Sequence, residues 1–169
     1  MTEPDLTELG AVFDHVGLAA PRIRDLLPLY HDILGGRLLQ AGDNQRVGYR
    51  AVQLAYRDGT KIELMEPLQG STFFDSFFRR TGGGGLHHVT FKVDDMPAAV
   101  ETLRRLGYSL TGLYLDDIAW QEVFLHPREA SGVLVQLAHE GAPYPQPPGL
   151  TLEQALAGSA QDGDGIPSP

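Results

Sequence analysis

Cysteine is absent from the 169-residue chain, which excludes both a disulfide framework and a thiolate metal site. Basic side chains are few: 13 Lys and Arg stand against 22 Asp and Glu, a formal charge of −9. Charge of that sign repels nucleic acid and anionic lipid at long range, so neither is an expected partner. No apolar run approaches the roughly 20 residues of a membrane-spanning helix. Residues 1–10 also lack the basic start and apolar middle of a secretory signal. These absences lead us to expect a cytoplasmic protein that acts on a small molecule. An apolar content of 42% suffices for an ordinary globular core.

What the chain does contain is a repeat. Phe13-Asp14-His15-Val16-Gly17-Leu18-Ala19-Ala20 has the pattern of Leu86-His87-His88-Val89-Thr90-Phe91-Lys92-Val93, with His15 and His88 separated by 73 positions. Thr60-Lys61-Ile62-Glu63-Leu64-Met65 resembles Gly132-Val133-Leu134-Val135-Gln136-Leu137, and Glu63 and Gln136 are separated by the same 73. Each half thus carries a strand-borne histidine followed 48 residues later by a strand-borne Glu or Gln.

Read in order, residues 11–67 form a βαβββ module. Ala11 to Ala20 is a strand stopped by Pro21. Apolar residues from Arg22 to Leu34 recur at helical spacing and end at Gly35-Gly36. Strands follow at Arg37 to Gln40, Val47 to Tyr56 and Thr60 to Met65. Residues 68–85 connect the halves; Phe73, Phe74, Phe77 and Phe78 have the spacing of one face of a short helix that packs into the core. Gly82 to Gly85 read as a flexible hinge. Residues 86–139 repeat the module: strand Leu86 to Val93, helix Met96 to Leu106, then strands Tyr108 to Leu115, Glu122 to Leu125 and Gly132 to Ala138. Residues 140–169 form a Pro- and Gly-rich tail, with two helical turns over Thr151 to Ala157 and disorder expected from Gln161. The fold class expected is α+β, two tandem βαβββ modules forming a cupped, barrel-like mixed sheet around a metal site.

In a strand, alternate side chains share a face. His15 shares its face with Gly17 and Ala19, whose small size leaves room for a ligand. Ile62 and Leu64 take the face opposite Glu63, and Val135 and Leu137 the face opposite Gln136. A carboxylate so placed is costly to bury without a cation or hydrogen-bond partner. His15, Glu63, His88 and Gln136 together form a donor set for one divalent ion: Co, Ni, Mn, Zn and Fe all suit it. His87 points to the face opposite His88 and reads as structural, while His31, His126 and His139 read as solvated. Tyr49, Arg50 and Trp120, with Arg46, are candidates for gripping an anionic or aromatic substrate.

At these residues the chain resembles the vicinal-oxygen-chelate superfamily of glyoxalases, bleomycin-resistance proteins and dioxygenases. Its wording is most similar to the methylmalonyl-CoA epimerase family at Asp14 to Ala19, Thr60 to Pro67, Gly85 to Val89, Phe124 to Arg128 and Gly132 to Val135. The resemblance implies ligands at His15, Glu63, His88 and Gln136, a homodimer, and chemistry through a metal-stabilised enolate of a 2-oxo acid, hydroxy-carbonyl compound or acyl-CoA thioester. An epimerase, isomerase or lyase would follow. Three departures stand out. Gln136 replaces the glutamate that ends the last strand in the epimerases, Val47 to Gln53 contains no acid, and Asp117-Ile118-Ala119-Trp120 replaces a Gly-Ala-His-Gly segment. Glu63 is then the acid of the donor set left to take a proton. A metal-free small-molecule-binding protein is the alternative, with a non-haem iron dioxygenase third.

Overall fold

The computed structural model describes residues 9–142 and 146–158. Their elements are β1 (Val12–Ala19), β2 (Arg37–Asn44), β3 (Tyr49–Ala55), β4 (Lys61–Pro67), α1 (Asp75–Thr81), β5 (Gly85–Lys92), α2 (Met96–Arg105), β6 (Leu110–Asp117), β7 (Trp120–Leu125), β8 (Leu134–Glu140) and α3 (Leu152–Leu156). The fold is α+β, as expected, with an eight-stranded mixed sheet of order β2-β3-β4-β1-β5-β8-β7-β6. The chain divides into two compact units. The first comprises residues 15–87 and 146–158; the second comprises residues 9–14 and 88–142.

The repeat seen in the sequence is kept strand for strand. β1, β2 and β4 recur as β5, β6 and β8 with both ends displaced by 73 positions (12 to 85, 37 to 110, 61 to 134). β7 breaks step, starting 71 positions after β3, because the turn at 118–119 is two residues shorter than the turn at 45–48. Register repeats too: β1 pairs in parallel with β4, Gly17 beside Glu63, and β5 with β8, Thr90 beside Gln136.

In the first unit, β2, β3 and β4 form an antiparallel set. Val52, Leu54 and Leu64 pack with Ile23, Leu27 and α3 residues Ala155 and Leu156. Burying each large aliphatic side chain contributes roughly 1.5–3 kcal/mol of transfer free energy. The helix expected over Arg22 to Leu34 is instead a 3-10 turn at Ile23–Asp25 and a π-type turn at Pro28–Ile33. Proline has no N–H and its ring crowds the preceding turn, and the segment widens until the Leu34 N–H donates to the Leu29 carbonyl five residues back. Of the apolar residues at that spacing, Ile23 and Leu27 are buried, while Leu29, Ile33 and Leu34 are exposed.

α1 brings Phe74 and Phe77 into a core with Ala19, Tyr49, Ala51 and Met65. It ends at Gly82 in the left-handed conformation (φ 78°). The tetraglycine, expected as a flexible hinge, is a close approach of backbones: a Cβ on Gly84 would lie 2.8 Å from the Ala19 carbonyl oxygen. Part of the expected tail is also built into this unit. Gln146 accepts a hydrogen bond from the Ala41 N–H, and Thr151 and Gln154 form a capping box at the start of α3. Residues 159–169, which include the stretch expected to be disordered, lie outside the described residues.

In the second unit, β8, β7 and β6 are antiparallel neighbours. Asp95 caps α2 by accepting from the Ala98 N–H at 2.9 Å. Met96, Ala99, Val100 and Leu103 lie at helical spacing along one side of α2 and pack on Val123, Leu125 and Leu137.

Candidate metal centre

β1 and β5 carry the histidines on alternating strands of the same design. The two begin with identical exposure, two exposed residues and then a half-buried, buried, half-buried, buried alternation, which turns His15 and His88 inward. His15 and Glu63 are each 1% exposed and His88 2%. His15 Nε2 lies 3.9 Å from Glu63 Oε2. His15 and Glu63 belong to the first unit, and His88 to the second. Imidazole nitrogens and a carboxylate oxygen are borderline-hard donors of the kind that divalent first-row ions take. A carboxylate with this little exposure carries a desolvation cost of several kcal/mol that a cation would offset.

Gln136, the fourth residue expected in the set, is wholly buried in the second unit, opposite Thr90 in the β5–β8 register. Its amide oxygen accepts from the Thr90 hydroxyl at 2.6 Å, and its amide nitrogen donates to Glu122 Oε2 at 2.9 Å. Glu122, 2% exposed, was not singled out from the sequence. The signal was present: Trp120, Glu122 and Phe124 alternate with Val123 and Leu125, so an acid lies among aromatics on one face of a strand whose other face is core. Starting the strand at Glu122 concealed it by making that residue a strand end.

The three substrate-gripping candidates are placed as follows. Tyr49 is buried, stacked on Phe73 at 5.6 Å between ring centroids. Arg50 forms a bidentate pair with Asp43 (2.7 and 2.8 Å), and its remaining terminal nitrogen donates to Glu66 at 3.3 Å and to the Leu156 carbonyl at 2.6 Å. Asp43, above all, raises the Arg50 pKa further above its ordinary value. Trp120 is buried, with the Lys92 ammonium 4.0 Å from its ring centroid and its indole N–H 3.4 Å from Glu122 Oε2. Arg46 lies exposed in the turn between β2 and β3.

His87 faces away from this set, as expected from its parity with His88. Its ring sits edge-on to Phe74 and Phe77. Burial, aided by the Arg80 charge, pushes its pKa down to about 4.

A fold and a donor set of this kind define a class, and comparison with known proteins gives the same one. Residues 14–118 match the glyoxalase/bleomycin resistance protein/dioxygenase superfamily, and the chain belongs to it. Mitochondrial methylmalonyl-CoA epimerase of Mus musculus is 31% identical over 126 residues, covering 73% of this chain and 70% of that protein. The crystal structure of methylmalonyl-CoA epimerase from Mycobacterium tuberculosis superposes with a TM-score of 0.69 at 29% identity, covering 84% of this chain and 95% of that one. A variant of the Streptomyces coelicolor epimerase in complex with 2-nitronate-propionyl-CoA has a TM-score of 0.65 at 25% identity, covering 77% and 97%. Among the described residues no helix is long and apolar enough to cross a membrane.

Proposed function

We propose that this protein is a divalent-metal-dependent epimerase that moves the proton on the carbon next to the thioester carbonyl of a small acyl-CoA. The observation that carries the proposal is the buried pair His15 and Glu63, 3.9 Å apart, in a chain whose relatives include methylmalonyl-CoA epimerases; buried His88 is the third donor in this reading. A divalent ion held there supplies Lewis-acid stabilisation of negative charge on a carbonyl oxygen. His15 and His88 serve as neutral nitrogen donors. Glu63 has two tasks, as a ligand and as the acceptor of the substrate proton, and low exposure favours the second by keeping the carboxylate away from competing water. Gln136 is the fourth donor through its amide oxygen. Arg50, whose donors are spent on Asp43, Glu66 and Leu156, anchors α3 in this reading, and Trp120 with Lys92 borders the polar face of β7.

The test is incubation with methylmalonyl-CoA in deuterated water with added cobalt, following deuterium at the acidic carbon by mass spectrometry. Wild type should incorporate deuterium, and chelation and Glu63→Gln should each stop it. No exchange with any short branched acyl-CoA, together with ligand binding that survives chelation, would overturn the enzymatic reading in favour of a metal-free binding protein.

A further inference from the structure

We infer that Glu122 is a positioning residue: its carboxylate fixes which end of the Gln136 amide faces β5. The inference rests on the metal-centre reading just given, with contacts that all lie within the second unit. Phe124 stands opposite Gln136 in the β7–β8 register, and Glu122 two residues along shares that face. Gln136 Nε2 donates to Glu122 Oε2 at 2.9 Å, Trp120 Nε1 lies 3.4 Å from the same oxygen, and Thr90 Oγ1 donates to Gln136 Oε1 at 2.6 Å. All four residues are buried.

The two ends of a primary amide are nearly the same shape, so packing does not decide between them; hydrogen bonding does. A hydroxyl accepts or donates with equal ease and leaves the choice open. The indole N–H of Trp120 can only donate, so the Glu122 oxygen it shares with Gln136 is held as an acceptor, and the NH2 group faces Glu122 while the oxygen faces Thr90. Thr90 follows His88 by two residues on the same side of β5. Glu122 therefore turns an oxygen, and not an N–H pair, toward the strand that bears His88. Reversed, the amide would present the positive end of its dipole to a cation.

The first unit has the complementary arrangement. There the acid is on β4 (Glu63) and the amide opposite it on β3 (Gln53). In the second unit the amide is on β8 (Gln136) and the acid on β7 (Glu122). Carboxylate and amide have exchanged strands, though not register positions: Gln53 is directly opposite Glu63, whereas Glu122 reaches Gln136 from two residues along β7, so the acid stands one strand further out and acts through the amide it orients. Outer partners of this kind typically change metal affinity by about 10–100-fold when removed.

The test is cobalt affinity of the full untagged chain by competition titration, together with the visible absorption spectrum of bound cobalt. Glu122→Gln, which can donate as well as accept, should weaken affinity by about tenfold or more and alter the spectrum. The double variant E122Q/Q136E returns a carboxylate to β8 and should bind at or above the wild-type affinity. A residue that merely filled space would leave both variants at wild-type values, and that outcome overturns the inference. Should E122Q fail to fold, the double variant decides alone: folded but tenfold weaker than wild type also overturns it. A wild-type chain that binds no cobalt would instead remove the metal-centre reading, and this inference with it.

Discussion

Glu63 and Gln136 occupy equivalent places in the two units, each on the innermost strand of its antiparallel set and each beside a strand that bears an inward histidine. One is an acid and the other an amide; Glu63 faces Gln53 directly across the strands, whereas Gln136 faces Phe124 and is reached by Glu122 from two residues along. The comparison teaches that duplication preserves positions better than it preserves charge. Backbone register holds every polar position to one face, because a one-residue slip would turn the whole strand inside out. Within that constraint the identity of each polar group can change, provided its buried partners change with it.

The sharpest test of this asymmetry is to level it. Glu63→Gln removes the single carboxylate of the His15–Glu63–His88 trio, and cobalt affinity should fall by at least the roughly 100-fold that outer-shell losses can reach. Gln136→Glu, made together with Glu122→Gln so that two carboxylates do not face each other, places an acid at the equivalent position of the other unit and should raise affinity. Titration of both variants checks the pair. Equal effects of the same sign would show that the two positions are not distinguished by charge, and the comparison would break.

A second difference lies outside the donor set. Arg50 of β3 ties Asp43, Glu66 and α3 together, and the Ile23 N–H adds a 2.7 Å bond to the other oxygen of Glu66. The position in step with it on β7 is Gln121, which makes one bond, 3.2 Å, to the Leu115 carbonyl. Removing one member of a largely buried ionic network leaves its partners uncompensated and typically costs about 3–5 kcal/mol. Arg50→Met should therefore lower unfolding free energy by about that amount in denaturant titrations. Gln121→Met should cost about 1 kcal/mol, the worth of one ordinary hydrogen bond.

The repeat itself was legible in the sequence because His15 recurs as His88 and Glu63 as its amide counterpart Gln136, both at the 73-residue offset, although positions such as Ala19 and Lys92 have diverged. The α+β class and nearly every strand followed from alternation at these positions. What escaped was set by partners distant in sequence. Pro28 converted a helix to a π-type turn, Gly84 served a close backbone approach and not a hinge, and Arg50 acquired neighbours from β2, β4 and α3. Glu122 was missed because the strand was started at that residue, and its bond to Gln136 follows only from the β7–β8 pairing.

His87 distinguishes the units in a further way, since the position 73 residues earlier is Asp14. Burial among Phe73, Phe74 and Phe77 holds the His87 pKa at about 4, below the 6.5 of an unfolded chain. Below pH 6.5 the unfolded chain takes up a proton that the folded one refuses, so the stability contribution is full above 6.5 and is lost as pH falls toward 4. The loss amounts to about 3 kcal/mol at most. His87→Phe should flatten this part of the stability–pH curve in chelator-treated protein. An unchanged slope between pH 6.5 and 4.5 would count against the buried neutral ring.

The smallest effect is expected where a second arginine of the first unit reaches α3. Arg24 pairs with Glu153 in a bidentate arrangement at 3.1 and 2.7 Å, but both side chains are more than half exposed. Water and salt screen such a pair, and the side-chain entropy lost in holding it offsets most of what remains. The same helix is thus held by a largely buried arginine, through one bond to the Leu156 carbonyl, and by a solvated one, through a bidentate pair with Glu153, and the two are of very different worth. Arg24→Ala should leave the thermal midpoint at physiological salt within experimental error, while Arg50→Met shifts it clearly. A shift from Arg24→Ala as large as that from Arg50→Met would mean that α3 is held chiefly from its exposed side, and that burial does not set the strength of these ties.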